Sequence, residues 1–459
     1  MTRGPARGYA FAVDTATDHG RSGIVRRIVG DVPRSLLAVL LGTFTLRFST
    51  GLTGGLLVNY LKDLPVHGGP VVEAHVVGIY AALFFSAELV MSTPFGLISD
   101  RYGHHRVMQL GPLFGLIAVV ATFLTTNLVA LGGTRILEGL STAASVPSIL
   151  GFVAVVTAGD ELLRGRAAAR FEGATLAGLG VGIVVAGLIW HVIGPLGFLV
   201  NAAIYVLSFA IYRFGVPAEP GETESRQASH PGIRRYATIL RTSHVWLLAP
   251  TWIAINAALG LWTTNAIFQL LRPLKPDPKF SDQLLMGKFD SVAISVGLAA
   301  GLVVFFLGLA FWGERFRRYR RTTIILFGVL GGAAVVAAGA LINHSEGLPD
   351  IVRVAESAIV VGGLFVLAGA TPAALGMLAD VSESFPSDRG AIMGLYSVFL
   401  ALGQIGGSLL GGFAAEVRGI DGILVATLLL LAVALVPLRR LRAVEHLIGG
   451  PVEGMVAPA

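Results

Sequence analysis

Residues 74–126 read AHVVGIYAALFFSAELVMSTPFGLISDRYGHHRVMQLGPLFGLIAVVATFLTT. Two apolar runs, 74–98 and 106–126, flank a short polar connection carrying Asp100, Arg101, His104, His105 and Arg106. Each run can cross about 30 Å of hydrocarbon as a helix, for which about 20 residues suffice. The polar connection then turns the chain back at a membrane surface.

The same pattern recurs along the chain. A window of about 19 residues finds twelve apolar spans: 36–61, 74–98, 106–126, 128–156, 169–191, 194–213, 244–271, 291–312, 322–342, 354–378, 390–414 and 420–438. Composition agrees, because 54% of the 459 residues are hydrophobic and only 14% charged, against about 25% charged in soluble domains. With no Cys there is no disulfide framework, zinc-thiolate site or Cys nucleophile. The formal charge of +6 is scattered and forms no basic domain, which argues against a nucleic-acid partner.

Charge placement sets the expected orientation. With residue 1 inside the cell, the inner loops and termini carry 25 Arg, the outer loops 7 Lys or Arg, and Arg47 and Arg135 lie within spans. Positive charge collects on the cytoplasmic side of membrane proteins, so both termini are expected there, in the cell inner (plasma) membrane. The tail 1–32 has no apolar core, and no cleavable signal peptide is expected. Ile24, Val25, Ile28, Val29 and Val32 share one helical face. That fits a short helix on the inner leaflet as well as a tail with incidental spacing.

The longest hydrophilic break, 214–243, divides the spans six and six. This gives a 33–213 bundle, a linker, a 244–442 bundle and a tail over 443–459. The halves echo each other: Asp100-Arg101 precedes Glu314-Arg315 by 214 positions, Gly173/Gly182 precedes Gly394/Gly403 by 221, and Pro147 precedes Pro372 by 225. The expected fold is an all-α polytopic membrane protein of twelve transmembrane helices in two six-helix pseudo-repeats. Many transporters form a midplane site between such repeats.

The stretch Gly96-Leu97-Ile98-Ser99-Asp100-Arg101-Tyr102-Gly103-His104-His105-Arg106 resembles the signature of the major facilitator superfamily at this loop. Arg135-Ile136-Leu137-Glu138-Gly139 is similar to a second pattern of that family, and Asp388 through Tyr396 to a third. The resemblance covers about 33–442. It implies two bundles rocking about a central site, with Gly96, Asp100, Arg101, Gly103 and Arg106 as a gating loop and Asp100 as a latch. An acid at a helix end meets backbone N–H groups and the positive end of a helix dipole, and arginines add charge-assisted hydrogen bonds. Two departures stand out: His104 and His105 replace the family's usual Arg or Lys, and the second copy, Glu314-Arg315-Phe316-Arg317-Arg318, lacks the glycines.

Four ionisable residues lie inside first-half spans: Arg47, Glu88, Arg135 and Glu138. An unpaired charge at bilayer centre costs about 3 kcal/mol even on the lenient insertion scale, so these side chains should face protein or water. Arg135 and Glu138 are spaced to pair on one helix face, and Arg47 and Glu88 sit at matching depth. Two readings fit. The glutamates take and release protons as the cavity alternates, or the four form static ion pairs. In the second half, Trp262, Asn265 and Gln269 share a helical face, with Trp252 and Asn256 on another part of that helix's surface and Gln404 in the 390–414 span. They suit a ligand wall and equally interhelical packing. Glycines 173, 178, 182, 403, 407 and 411 suit close helix approach.

These observations point to a secondary transporter, not an enzyme, with no cofactor and no metal. The expected activity is proton-coupled export of lipophilic or amphipathic small molecules by alternating access, as a monomer in the lipid bilayer. The alternative is a lipid or lysolipid translocator. Small-nutrient uptake, a membrane-embedded enzyme and a transport-dead sensor rank below both. The charge asymmetry makes a direct prediction. Cysteines introduced near Glu222 should label only from the cytoplasm and those near Asp277 only from outside; reversed labelling would invert the topology.

Overall fold

The computed structural model describes residues 33–157, 161–218, 245–273, 278–383 and 389–445. The 1–32 tail, most of the 214–243 linker and the chain after 445 lie outside these residues, so the surface-helix reading of 24–32 is not addressed. The helices are α1 (Arg34–Asp63), α2 (Ala74–Tyr102), α3 (Leu110–Phe123), α4 (Leu128–Val156), α5 (Glu161–Ile193), α6 (Gly197–Gly215), α7 (Val245–Leu261), α8 (Ser291–Gly313), α9 (Arg321–Asn343), α10 (Asp350–Leu367), α11 (Ala370–Glu383) and α12 (Arg389–Val444). One helical turn, His104–Val107, precedes α3, and α7 continues through a π-helical turn, Trp262–Ala266, into Ile267–Leu270. Among the described residues there is no β-strand, only an isolated bridge between Leu271 and Phe289.

Ten helical stretches among the described residues are long and apolar enough to cross a membrane. Two of them, Arg166–Gly215 and Ser397–Val444, run to 50 and 48 residues. At 1.5 Å per residue each would reach roughly 70–75 Å, more than twice the hydrocarbon thickness. Both are broken. The first turns at Gly194–Leu196, where Gly194 takes φ +54°. The second turns at Arg418 and Gly419, with Gly419 at φ +59°. Divided at these two corners, the stretches become the twelve segments that hydropathy expects.

The second corner has a dedicated side chain. Gln283 is buried, its Oε1 accepts from the backbone N–H of Ile420 (2.9 Å) and Asp421 (3.3 Å), and its Nε2 donates to the Arg418 carbonyl (2.8 Å). Peptide groups freed by a helix break need such partners where burial excludes water. Elsewhere the ends follow capping chemistry: Asn127 accepts from Val129 and Ala130 N–H at the start of α4, and Asp290 from Ala293 N–H at the start of α8. The interval between α10 and α11 falls just before Pro372, whose missing N–H cannot continue the ladder.

Glycine sets the distances between helices. On α1, Gly51 faces the Leu179 carbonyl of α5 and Gly55 faces Ala186. Reciprocally, Gly182 of α5 sits on Phe48 and Leu52 of α1, and Gly178 lies against Phe44, Arg47 and Phe48. The second half repeats the relation, with Gly403, Gly407 and Gly411 of α12 against Ile253, Ala257 and Leu261 of α7. Gly173, grouped with these by sequence, borders open space instead. Polar bonds add to the packing: Asn201 of α6 donates to the Ser49 carbonyl (3.0 Å) and Thr53 Oγ1 (2.8 Å) of α1. Such interhelical bonds contribute about 0.6 kcal/mol each.

One core draws buried side chains from Leu36 through Val216 and takes in Ile267, Phe268, Leu271 and Ile294; another runs from Leu248 to Leu441. Between the halves, Gly78 of α2 meets Ser408 and Gly412 of α12, and Gly187 of α5 meets Ser291 and Ser295 of α8. The chain stays anchored past the expected start of the C-terminal tail, because the Glu445 carboxylate accepts from Thr322 N–H and Oγ1–H.

The glycine contacts predict a contrast. Gly182→Ala places a Cβ on the α1 backbone and should cost about 1–3 kcal/mol by overpacking. Gly173→Ala, in open space, should leave stability unchanged or raise it by up to about 1 kcal/mol through helix propensity. Thermal unfolding of the two purified variants checks both.

Candidate functional site

The polar interior of the first half is built along α4. Arg135 and Glu138, one turn apart, are buried, and Arg135 Nη1 contacts Glu138 Oε2 directly. This is the pair that their spacing predicts. The Arg135 guanidinium also lies 5.0 Å from the centre of the Phe84 ring on α2. Gly139 lets α2 come this close, since a Cβ there would meet the Phe84 carbonyl, Ala87 and the Glu88 backbone. Glu138 thus gives one oxygen to Arg135, while its Oε1 is buried without a protein partner.

Arg47 arrives from α1, held where Gly178 of α5 packs on its Cβ. Depth matching paired it with Glu88. The structure pairs it differently: Arg47 Nη1 donates to Thr142 Oγ1 on α4, at 3.4 Å, and Glu88 is within electrostatic reach without a salt bridge between them. A hydroxyl one turn beyond Glu138 therefore wins the hydrogen bond. Arg47 also interacts electrostatically with Glu172 of α5 and Tyr205 of α6, and Tyr205 with Arg135 as well. Arg47, Glu88, Arg135 and Glu138 are brought together, with five of the first six helices contributing.

Thr142, Glu172 and Tyr205 are additions that sequence reasoning missed. Thr142 was detectable as the i+4 neighbour of Glu138. Glu172 falls at the edge of the 169–191 span, but α5 begins at Glu161. That puts Glu172 about three turns inside the helix. Tyr205 carried no signal, because a Tyr in an apolar span is ordinary. It is fully buried, and Gly115 of α3 lies against its ring.

The second-half candidates divide. Trp262 Nε1 donates to Thr427 Oγ1 (2.9 Å), Asn265 Nδ2 to the Ser408 carbonyl (3.1 Å), and Asn256 Nδ2 to the Trp252 carbonyl one turn back (2.9 Å). The first two bonds tie the α7 extension to α12, which is the packing role, and the third is internal to α7. Gln269 is buried. Gln404 packs beside Gly260, and its Oε1 is buried without a partner.

At the α2–α3 turn, Gly103 takes φ +99°, the region that favours glycine, and its N–H caps the Ser99 carbonyl. Asp100 Oδ1 stands 3.6 Å from His104 Nε2, and His104 Nδ1 is 3.1 Å from Ser99 Oγ. His104 is buried against Gly151 of α4, a site too confined for a solvated Lys or Arg. That accounts for one family departure. Gly96 is near Pro147 of α4, and Arg101 and Arg106 are exposed. In the second half, Arg315 of the Glu314–Arg317 turn folds over the Phe311 ring. Asp388 lies outside the described residues.

Comparison with known proteins gives three kinds of likeness. The Major Facilitator Superfamily model matches residues 39–355. A triacylglyceride transporter of Mycobacteroides abscessus is 24% identical over 328 residues, 65% of this chain but only 59% of that protein's length. The quinolone resistance protein NorA of Staphylococcus aureus is 20% identical across 84% of this chain and 91% of its own. Multidrug resistance protein 1 of Bacillus subtilis is 22% identical over 74% and 81%. The crystal structure of the nucleoside transporter NupG superposes with a TM-score of 0.66 at 15% identity, covering 89% of this chain and 98% of that one; at that identity it speaks to the fold alone.

The turn generates a prediction. Asp100→Asn keeps the shape and removes the charge facing His104. It should shift the balance between conformations open at opposite ends while leaving affinity in the competent state nearly unchanged, apparent affinity following the competent fraction. Spin-label distances between the halves that do not change with the substitution would rule this out.

Proposed function

We propose that this chain, which belongs to the major facilitator superfamily, is a proton-coupled exporter of lipophilic or amphipathic small molecules. Transport across the membrane is the family's role; the coupling, direction and substrate class are our reading. The observation that carries it is the Glu138 carboxyl, buried beside Arg135 with one oxygen paired and the other without a protein partner. Such a group holds a proton on its free oxygen when the arginine turns away and releases it when the arginine returns. Arg47, Glu88 and Glu172 surround the same interior. The second-half candidates Trp262, Asn256, Asn265, Gln269 and Gln404 are aromatic or uncharged polar residues, which suits substrates recognised by shape and area. The resemblance to drug-resistance transporters over most of their lengths supports this substrate class. A lipid or lysolipid translocator is the second reading, favoured by the triacylglyceride-transporter relative.

Glu138→Gln separates a proton carrier from a static pair. If the ion pair only holds the bundle together, the substitution strands a buried Arg135 and should cost typically 3–5 kcal/mol of stability. If Glu138 carries protons, the neutral form is a normal intermediate. The variant then stays folded, still exchanges substrate in counterflow, and loses accumulation driven by a pH gradient. The driving force for one proton, about 2.3 kcal/mol per 100 mV, is ample for a visible ratio. Glu88→Gln provides the parallel test. Full pH-driven accumulation in two stable variants would overturn the coupling.

A further inference from the structure

One cluster of side chains outside the polar interior joins the two halves. Glu73 and His75 open α2, and Glu416 closes the first segment of α12. His75 Nδ1 stands 3.3 Å from Glu73 Oε2 and in direct contact with Glu416 Oε2. The His75 backbone N–H also points to Glu416 Oε2, at 3.4 Å. The imidazole is stacked on Phe413, with ring centres 5.9 Å apart and planes within 8°. One potential ligand atom from each of the three residues lies within 4.8 Å of the others.

We propose that Glu73, His75 and Glu416 form a site for a divalent ion of the zinc class, and that an ion bound there ties the halves together at this end. Two carboxylate oxygens converge on one imidazole nitrogen, so an ion can sit where the three atoms meet. One nitrogen and two carboxylate oxygens are a donor set zinc uses, with water in the fourth position. Around a tetrahedral ion with bonds near 2.0–2.2 Å, ligand atoms sit roughly 3.3–3.6 Å apart. The Glu73–His75 separation already has that value, and Glu416 need only withdraw slightly. The side chains are 64%, 28% and 42% exposed for Glu73, His75 and Glu416, so an ion enters from solvent. The stacked Phe413 holds the ring orientation without competing for its nitrogens.

A second cluster, Asp282, His344 and Asp421, is the weaker candidate. Arg418 already pairs with Asp282 (2.5 Å) and approaches Asp421 (3.8 Å), so a cation occupies that charge. At the proposed site the nearby cation, Lys279, donates to the Glu416 backbone carbonyl and leaves the carboxylate free. Because the ligands come from both halves, the site is assembled only when this end is closed. Linkage then requires the ion to stabilise the closed form to the extent that it binds it better.

The test uses the full chain in nanodiscs with ZnCl2 as the probe and does not depend on transport. One Zn2+ should bind per chain in calorimetry and raise the thermal midpoint. Spin labels flanking the cluster on α2 and α12 should show the closed population growing with Zn2+. Glu73→Gln, at the most exposed position, should keep the fold and weaken binding at least about tenfold; His75→Gln and Glu416→Gln should act likewise. Unchanged affinity in Glu73→Gln together with Glu416→Gln would overturn the proposal. So would loss of binding in His344→Gln alone.

Discussion

Hydrocarbon supplies no hydrogen bonds, so each peptide group within it must be satisfied by the chain itself. That requirement explains the unbroken helices across each span. At Arg418–Gly419 the freed backbone groups are taken up by a buried Gln283 that reaches in from the segment before α8. Apolar side chains do not drive these helices together, because lipid tails are as apolar as leucine. Association therefore depends on close backbone contact, and glycine supplies it where α1 meets α5 and where α7 meets α12. These pairs hold equivalent places in the two halves, which supports a duplicated six-helix unit.

The same constraint makes the charged groups of the first half informative. Arg47, Glu88, Arg135, Glu138 and Glu172 are costly in such an interior unless they answer one another. They do so incompletely. Arg135 takes one oxygen of Glu138, Arg47 takes a threonine hydroxyl, and Glu88 and Glu172 are held by field instead of by contact. A purely structural network would gain most by full pairing, since a half-satisfied polar group in a dry interior loses much of what it could contribute. The vacant Glu138 Oε1 is the feature that a proton-exchanging network would require and a static one would not.

How much of this was legible in the sequence depends on the range of the interaction. Hydropathy located α4 to the residue and α8 to within one, because those ends carry Asn127 and Asp290 caps. Arg135 and Glu138 were legible because their partnership is local to one helix. Arg47 was not: its partner Thr142 lies 95 positions away, and depth alone favoured Glu88. Trp262 and Asn265 share a face as expected, yet Trp262 Nε1 is spent on Thr427 and Asn265 Nδ2 on Ser408, while Asn265 Oδ1 is buried without a partner, none of which a spacing rule in α7 reveals. The cluster of Glu73, His75 and Glu416 spans 341 positions between His75 and Glu416. No local spacing groups these three residues.

The contacts between the halves differ in kind from those within them. Within each half, glycine brings backbone against backbone, and separation would expose peptide groups and open voids along whole helices. Between the halves, backbone approach is confined to places such as Gly78 and Gly187. At the Asp63 end the halves are also joined by apolar packing, with Ile267, Phe268, Leu271 and Ile294 seated in the first-half core, and by polar contacts: Lys62 to the Phe268 carbonyl and ring, and His75 to Glu416. Water can replace such bonds at little net cost, since exposed ion pairs contribute only about 0–1 kcal/mol. A movement that opens this end must therefore uncover that apolar packing as well as break the polar contacts, while the backbone seams within each half stay intact.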